Sequence, residues 1–200
     1  MSQVELDATG SRHPATAAVD PRFVSRWSPR AMSGAALTDE DLAPLFEAAR
    51  WAPSSYNAQP WRFMYALQGD EHFGAFFDLL AAGNREWTAR AGALVVMASR
   101  STFEHNQKDS ITHSFDCGAA WMNFALQAHQ DGLVAHAMQG FDYSAARELL
   151  SLPANYRVEA MVALGKPGSN TDLGPGLRER EQPSARKATT EFVFKGPFSG

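Results

Sequence analysis

Nine consecutive residues, Pro53-Ser54-Ser55-Tyr56-Asn57-Ala58-Gln59-Pro60-Trp61, crowd hydroxyls and carboxamides between two prolines. Buried, those groups would lack partners, so the segment cannot be core. Each proline fixes its own φ and restricts the residue before it, which makes the segment too stiff for an idle linker. A rigid loop presenting two serines, an asparagine and a glutamine suits hydrogen bonding to a flat, heteroatom-rich ligand. A helical pattern ending Glu47-Ala48-Ala49-Arg50-Trp51-Ala52 runs into it, and Trp61-Arg62-Phe63 leaves it. Upstream lies Arg26-Trp27-Ser28-Pro29-Arg30, with two arginines and a serine in five positions.

The order Arg-x-Ser-x-Arg, then EAARWAPSSxNxQPWRF, resembles the FMN-dependent nitroreductase family. Identities at fixed spacing over such a length are far more specific than a lone glycine motif. Weaker echoes extend the likeness over residues 22–195. The resemblance implies an α+β layered fold, with a central mostly antiparallel sheet flanked by helices, and a homodimer with a site at each interface. It implies FMN as cofactor and NAD(P)H as a transient electron donor. The acceptors it implies are nitroaromatics, quinones or other electron-poor molecules, served by a ping-pong exchange. Two other readings stay open: a protein that binds or sequesters flavin without turnover, and flavin-dependent dehalogenating or flavin-degrading chemistry.

The resemblance also distributes roles. A planar guanidinium makes paired, charge-assisted bonds to phosphate. Arg26 and Ser28, with Trp27 between them, and Arg186 near the C-terminus are the candidates to grip the FMN phosphate. Arg30 matches a basic position whose charge favours the reduced ring by standing near its N1 and C2 carbonyl. Pro53, Ser54, Ser55 and Asn57 lie against the cofactor from the partner subunit in relatives. Asn84 resembles an asparagine that bonds the pyrimidine edge; equally, it could cap a helix after Gly83. Gln139-Gly140 matches a segment whose backbone amide faces flavin N5, often with Glu where Gln139 stands. Trp87 replaces a basic residue common in the family three positions after the asparagine.

Other features carry less. His105, His113, His129 and His136 do not match metal-ligand spacing and are expected as scattered surface residues. Ser114 and Asp116 lack a G-x-S-x-G elbow, so no nucleophilic triad is expected. Gly165-Lys166-Pro167-Gly168 reads as a strand-exit turn rather than a phosphate loop, and no G-x-G-x-x-G marks a dinucleotide fold. No side chain stands out as a general acid. Gln59 suits bonding the loop to itself, and Phe103, Phe115 and Phe124 are candidate pocket walls, with core packing the preferred alternative for Phe124.

These residues need positioning elements. Thr38-Asp39-Glu40-Asp41 is a capping-box start for a helix that puts Leu42, Leu45, Phe46 and Ala49 on one face. Trp61–Leu67 reads as a strand. Asp70 opens a second helix with Phe73, Phe76, Phe77 and Leu80 inward, ended by Gly83-Asn84. The apolar run Ala93–Ala98 predicts a strand buried on both faces. Residues 101–112 are polar and aperiodic, as a mobile flap would be. Phe115–Gln130 predicts the longest helix, and its small residues imply close approach of another helix. Strands at Val134–Met138 and Arg157–Leu164 and a short helix near Ser144–Ser151 follow. The expected organisation is a flexible arm over residues 1–21 and one FMN-binding domain over 22–200.

Composition sets the outer bounds. A chain of 200 residues, 44% hydrophobic, can bury one good core. A net charge of −4 argues against nucleic-acid or anionic-membrane partners. No apolar run is long enough to span a membrane, and the N-terminal residues do not form a signal peptide. One cysteine, Cys117, excludes an internal disulfide, fits a reducing cytoplasm and reads as a buried thiol.

Overall fold

A computed structural model describes residue 15 and residues 17–198. Its elements, in chain order, are α1 (Pro21–Ser25), α2 (Asp39–Arg50), β1 (Trp61–Leu67), α3 (Phe73–Asp78) and α4 (Ala82–Thr88). They continue with β2 (Ala93–Arg100), α5 (His113–Gln130), β3 (Val134–Met138), α6 (Tyr143–Leu149), β4 (Tyr156–Gly165) and α7 (Pro175–Arg178). Two units of internal contact emerge. Ser28–Glu181 holds the whole sheet and helices α2 to α7; the described residues before Ser28 join those from Gln182 onward. Most of the expected arm, residues 1–14 and 16, lies outside the described residues.

In the larger unit the strands run β1-β2-β4-β3, every pair antiparallel. The fold is therefore α+β with a central antiparallel sheet flanked by helices, as expected. Ala93 through Ala98 are 0–2% exposed, which explains why that run is apolar at every position. On one face Leu42, Leu45 and Ala49 of α2 and Cys117, Ala120, Phe124 and Ala128 of α5 meet Ala93, Val95 and Met97. On the other, Phe76, Leu80, Trp87, Phe141 and Leu177 meet Leu94 and Val96. Asn123 Nδ2 donates to Ala48 O at 3.1 Å, so α2 is the close neighbour of α5.

The β2–β4 register slips once: Met97 pairs with Ala160, but Ala98 pairs with Val158. Glu159 is the extra residue. Because side chains alternate with period two, one inserted residue reverses the facing of everything beyond it. Val158 accordingly packs with Met161 on the α3 side, and Glu159 turns toward α5.

The Thr38–Asp41 capping box forms as expected. The expected single helix from Asp70 to Gly83-Asn84 does not. Helix α3 stops at Asp78, Leu80 bridges to Phe141, and Gly83 and Asn84 fall in the first turn of α4. Periodicity could not register a break imposed by a residue sixty positions away. Asn84 is thus no C-cap. Residues 101–112 form a loop with internal bonds: Thr102 bridges Asp109, and Ser110 N donates to Ser101 O at 2.8 Å. In the smaller unit Thr189–Glu191 form one tight helical turn, and Phe192, Val193 and Phe198 are exposed.

Candidate functional site: a clamped basic turn and a strained amide loop

The chain from Arg30 to Ser33 is held against the exit of β4. Ser33 N donates to Lys166 O at 2.9 Å and Gly168 N to Ala31 O at 3.0 Å. A Cβ on Gly168 would lie 2.5 Å from the Met32 carbonyl carbon, so only glycine permits that approach. Gly165–Gly168 is therefore a strand-exit turn, as expected, and its use is to seat this segment. Glu181 holds it from a third direction. Its Oε1 accepts from Arg30 N at 2.6 Å and Ala31 N at 2.8 Å, while Oε2 lies 3.9 Å from Arg30 Nη1.

His136, on β3, faces the same turn. Its Nδ1 donates to Pro29 O at 3.0 Å, and its ring lies 4.7 Å from that of Trp87. Burial, and further the nearby Arg30 charge, hold the imidazole below its usual range; the carbonyls of Pro29 and Ser28 and the Glu181 carboxylate act against this. Trp87 itself is 4% exposed, a core residue rather than a surface group standing in for a cation. Its Nε1 donates to Asn84 Oδ1 at 3.3 Å, and Asn84 Nδ2 donates to Gly140 O at 2.9 Å. The position of a Cβ on Gly140 is taken by Asn84 Nδ2 at 2.7 Å, so Asn84 is what requires a glycine there. Gln139 is exposed beside it.

The loop of residues 53–59 is strained. Tyr56, Asn57 and Gln59 all have positive φ (53°, 53° and 46°), a region that costs non-glycine residues about 1 kcal/mol each. What holds them there is hydrogen bonding. Ser54 Oγ accepts from Gln59 N at 3.0 Å, Gln59 Nε2 donates to Asn57 O at 3.0 Å, and Arg62 Nη1 donates to Gln59 O at 3.1 Å. Gln59 does tie the loop to itself. The outer anchor is Asp116 on α5, 3% exposed, whose Oδ2 accepts from Ser55 N and Thr112 Oγ1. Pro53, Tyr56 and Asn57 remain exposed, with Tyr56 edge-on to Phe103 at 5.6 Å. Through Asp116 the loop hangs on the α5 side of the sheet, whereas Trp87 packs on the other.

In the smaller unit Arg26 is half-buried, and its Nη1 donates to the Trp27 carbonyl at 3.0 Å. Burial, and next the like charge of Arg186, push the Arg26 guanidinium below its usual range. Residues 160 positions apart in sequence thus come within electrostatic reach. Arg186 Nη1 donates to Ser184 O at 2.8 Å.

Three residues of this arrangement were not legible as site residues. Glu181 gave no signal, because its partners are 150 and 151 positions away. His136 and His113 are half-buried rather than surface histidines, which corrects that expectation: an imidazole spaced for no metal can still be a hydrogen-bonding hub. His113 Nδ1 lies 2.7 Å from Ser99 Oγ, and Ser99 and Ser114 both donate to Glu159 Oε1. Ser114 bonds Glu159, whereas Asp116 bonds Ser55 and Thr112, so those two side chains have separate partners. Among the described residues no group of three or more His, Cys, Asp or Glu could hold a metal. No helix there is long and apolar enough to cross a membrane. Cys117 is buried, and its thiol is pushed up to about 12, chiefly by burial.

Against known proteins, the model of the Nitroreductase family matches residues 24–84 and 69–166. This chain belongs to the nitroreductase family. Protein DrgA of Synechocystis is 30% identical over 175 residues, covering 74% of this chain and 81% of that protein. An Archaeoglobus fulgidus protein, provisionally named NADH dehydrogenase/NAD(P)H nitroreductase, is 29% identical over 153 residues, covering 74% and 85%. Among solved structures, an oxidoreductase containing FMN superposes with a TM-score of 0.91 at 41% identity, over 95% of this chain and 98% of that one. A nitroreductase family protein of Streptococcus pneumoniae shares the fold, with a TM-score of 0.68 at 19% identity over 85% and 96%.

Proposed function

We propose that this nitroreductase-family oxidoreductase binds FMN and uses it to pass electrons from NAD(P)H to small electron-poor acceptors. The observation that carries the reading is the convergence of Arg26 and Arg186. Two guanidinium groups within electrostatic reach of each other, Arg26 held down first by burial and next by the Arg186 charge, suit a dianionic phosphate. The donor set fits the rest of FMN: a serine beside the basic turn, a third guanidinium at Arg30, and a loop of hydroxyls and carboxamides matched to a ribityl chain. The 41% identity to an FMN-containing oxidoreductase over nearly the whole chain supports it.

In this reading Arg26, Ser28 and Arg186 hold the phosphate, with Trp27 shaping their approach. Arg30 would stand toward the N1 and C2 side of the ring, where its charge would offset that of the reduced state. Asn84 spends one N–H on Gly140 O; a carboxamide nitrogen carries two, so the other would be available to the pyrimidine edge. Gln139 and Gly140 bring backbone to the ring centre. The loop comes from a second copy of the chain: Ser54 and Ser55 serve ribityl or ring oxygens, Asn57 a ribityl hydroxyl or the phosphate. Bound FMN supplies the hydride-accepting ring and two-electron store that a nicotinamide donor fills and a quinone, nitroaromatic or similar acceptor empties in turn. Protons come from water. The single, buried cysteine suits a reducing cytoplasm.

The test is optical. The purified protein is scanned for flavin absorbance and mixed with NADH or NADPH without oxygen, and a quinone is then added. Bleaching followed by recovery is expected. A yellow protein that never bleaches is a flavin binder, and a colourless protein that takes up no FMN overturns the reading.

A further inference from the structure

The turn that carries Arg30 is gripped on both sides, and the grip continues residue by residue to Gly140. On one side the Glu181 carboxylate, its side chain 5% exposed, takes two backbone N–H groups of the turn and sits within ion-pair distance of the Arg30 guanidinium. Its second oxygen, Oε2, is buried, has no hydrogen-bond donor among the described residues and lies 3.9 Å from Arg30 Nη1. On the other side His136 donates to Pro29 O; a carbonyl only accepts, which fixes the proton on Nδ1. Trp87 then lies over His136, donates to Asn84 Oδ1, and Asn84 in turn donates to Gly140 O. Four separate stretches of chain are joined in this way: the turn at 28–31, helix α4, strand β3 with its exit, and Glu181.

A stretch serving only as core would be filled with apolar groups, because polar ones cost free energy unless every partner is supplied. Here Glu181 and His136 spend their bonds on the Arg30 turn, Asn84 on Gly140, and Trp87 on Asn84. We propose that Glu181, His136 and Trp87 are positioning residues that set Arg30 and Gly140 in fixed register for the flavin ring, with Glu181 also limiting how much of the Arg30 charge the ring senses. This rests on the FMN reading above.

The full chain is stripped of flavin and titrated with FMN by fluorescence, its bound-flavin midpoint potential is measured, and urea unfolding of the stripped protein reports folding. His136→Leu removes one hydrogen bond to the turn, and the FMN Kd is expected to rise about five- to tenfold. His136→Asn places an amide N–H where Nδ1 stood and is expected to return the Kd to within about twofold of the parent. Glu181→Gln keeps the accepting oxygen and removes the charge, so the potential is expected to move positive as Arg30 acts uncompensated. A Kd unchanged by His136→Leu, or an Asn variant no better than the Leu one, with an unmoved potential in Glu181→Gln, overturns the proposal. If His136→Leu does not fold, the Asn variant and the potential of Glu181→Gln decide. A parent that takes up no FMN sinks the flavin reading and this inference together; a parent that binds FMN with indifferent variants sinks this inference alone.

Discussion

Arg26 and Arg186 carry the same charge and still converge, which separates their role from that of Arg30, whose charge is met by Glu181. Charge-assisted bonds to phosphate contribute about 1.5–3 kcal/mol each. Arg26→Ala and Arg186→Ala are therefore expected to weaken FMN binding by about ten- to a hundredfold in a fluorescence titration. Arg30→Ala should weaken it less and chiefly lower the flavin potential and the rate of reduction. Equal retention in all three variants would refute the division of roles. Trp87 supplies a complementary test. Returning a cation to that position, Trp87→Lys, would bury an ammonium among Leu94, Val96 and their neighbours. A loss of about 3 kcal/mol or more in urea unfolding is expected, rather than any gain in cofactor binding.

At the scale of elements, the strained loop and helix α5 belong together. Asp116 is what fixes Ser55, so Asp116→Ala leaves a backbone N–H and a threonine hydroxyl without their acceptor. A cost of about 2–3 kcal/mol is expected in urea unfolding, with weaker FMN binding as the loop loosens. Asn57→Gly separates backbone from side chain: glycine relieves the positive φ, so stability should hold or rise slightly while FMN affinity falls. A variant that kept full affinity would remove Asn57 from the cofactor. Most of these elements could be read locally. The Thr38 capping box, the Leu42–Ala49 face and the Ala93–Ala98 run each encode their element in neighbouring residues. The helix pair α3 and α4 could not, because Phe73, Phe76, Phe77 and Leu80 keep a helical period across a break made by Phe141. The bulge at Glu159 was equally hidden, since an inserted residue shows only when its partner strand is known.

For the whole molecule, His136 makes stability depend on pH. Its folded-state affinity for protons is lowered from the ordinary 6.5, chiefly by burial and then by Arg30, with Glu181 opposing and the uncharged Trp87 completing its surroundings. The unfolded chain therefore binds the proton first, so its contribution is intact above about pH 6.5 and is lost as pH falls toward the folded value. A melting temperature that declines between about pH 7 and pH 5, with a shallower decline in His136→Asn, is the expected result. A slope identical in the two proteins would assign it to other groups. Association is also expected. Tyr56, Ile111 and Phe115, 86%, 94% and 80% exposed, stand on the amide loop, just before α5 and in the first turn of α5 respectively. The parent should sediment at twice the 21.8 kDa chain mass, and Ile111→Asp with Phe115→Asp should yield monomers that lose FMN. A monomeric parent that binds FMN fully would rule out a loop donated by a second copy.

By itself the sequence determined what local order can encode: the proline-bounded amide loop, the spacing of Arg26, Ser28 and Arg30, the capped and periodic helices, and a strand apolar throughout. Only the tertiary structure decided that Glu181 closes on Arg30, that His136 and Trp87 link that turn to Asn84 and Gly140, and that Asp116 holds Ser55. Apart from the Trp87–Asn84 bond inside α4, those pairings join residues 49 to 151 positions apart. Local periodicity carries no information about such partners; only the folded chain brings them within bonding distance.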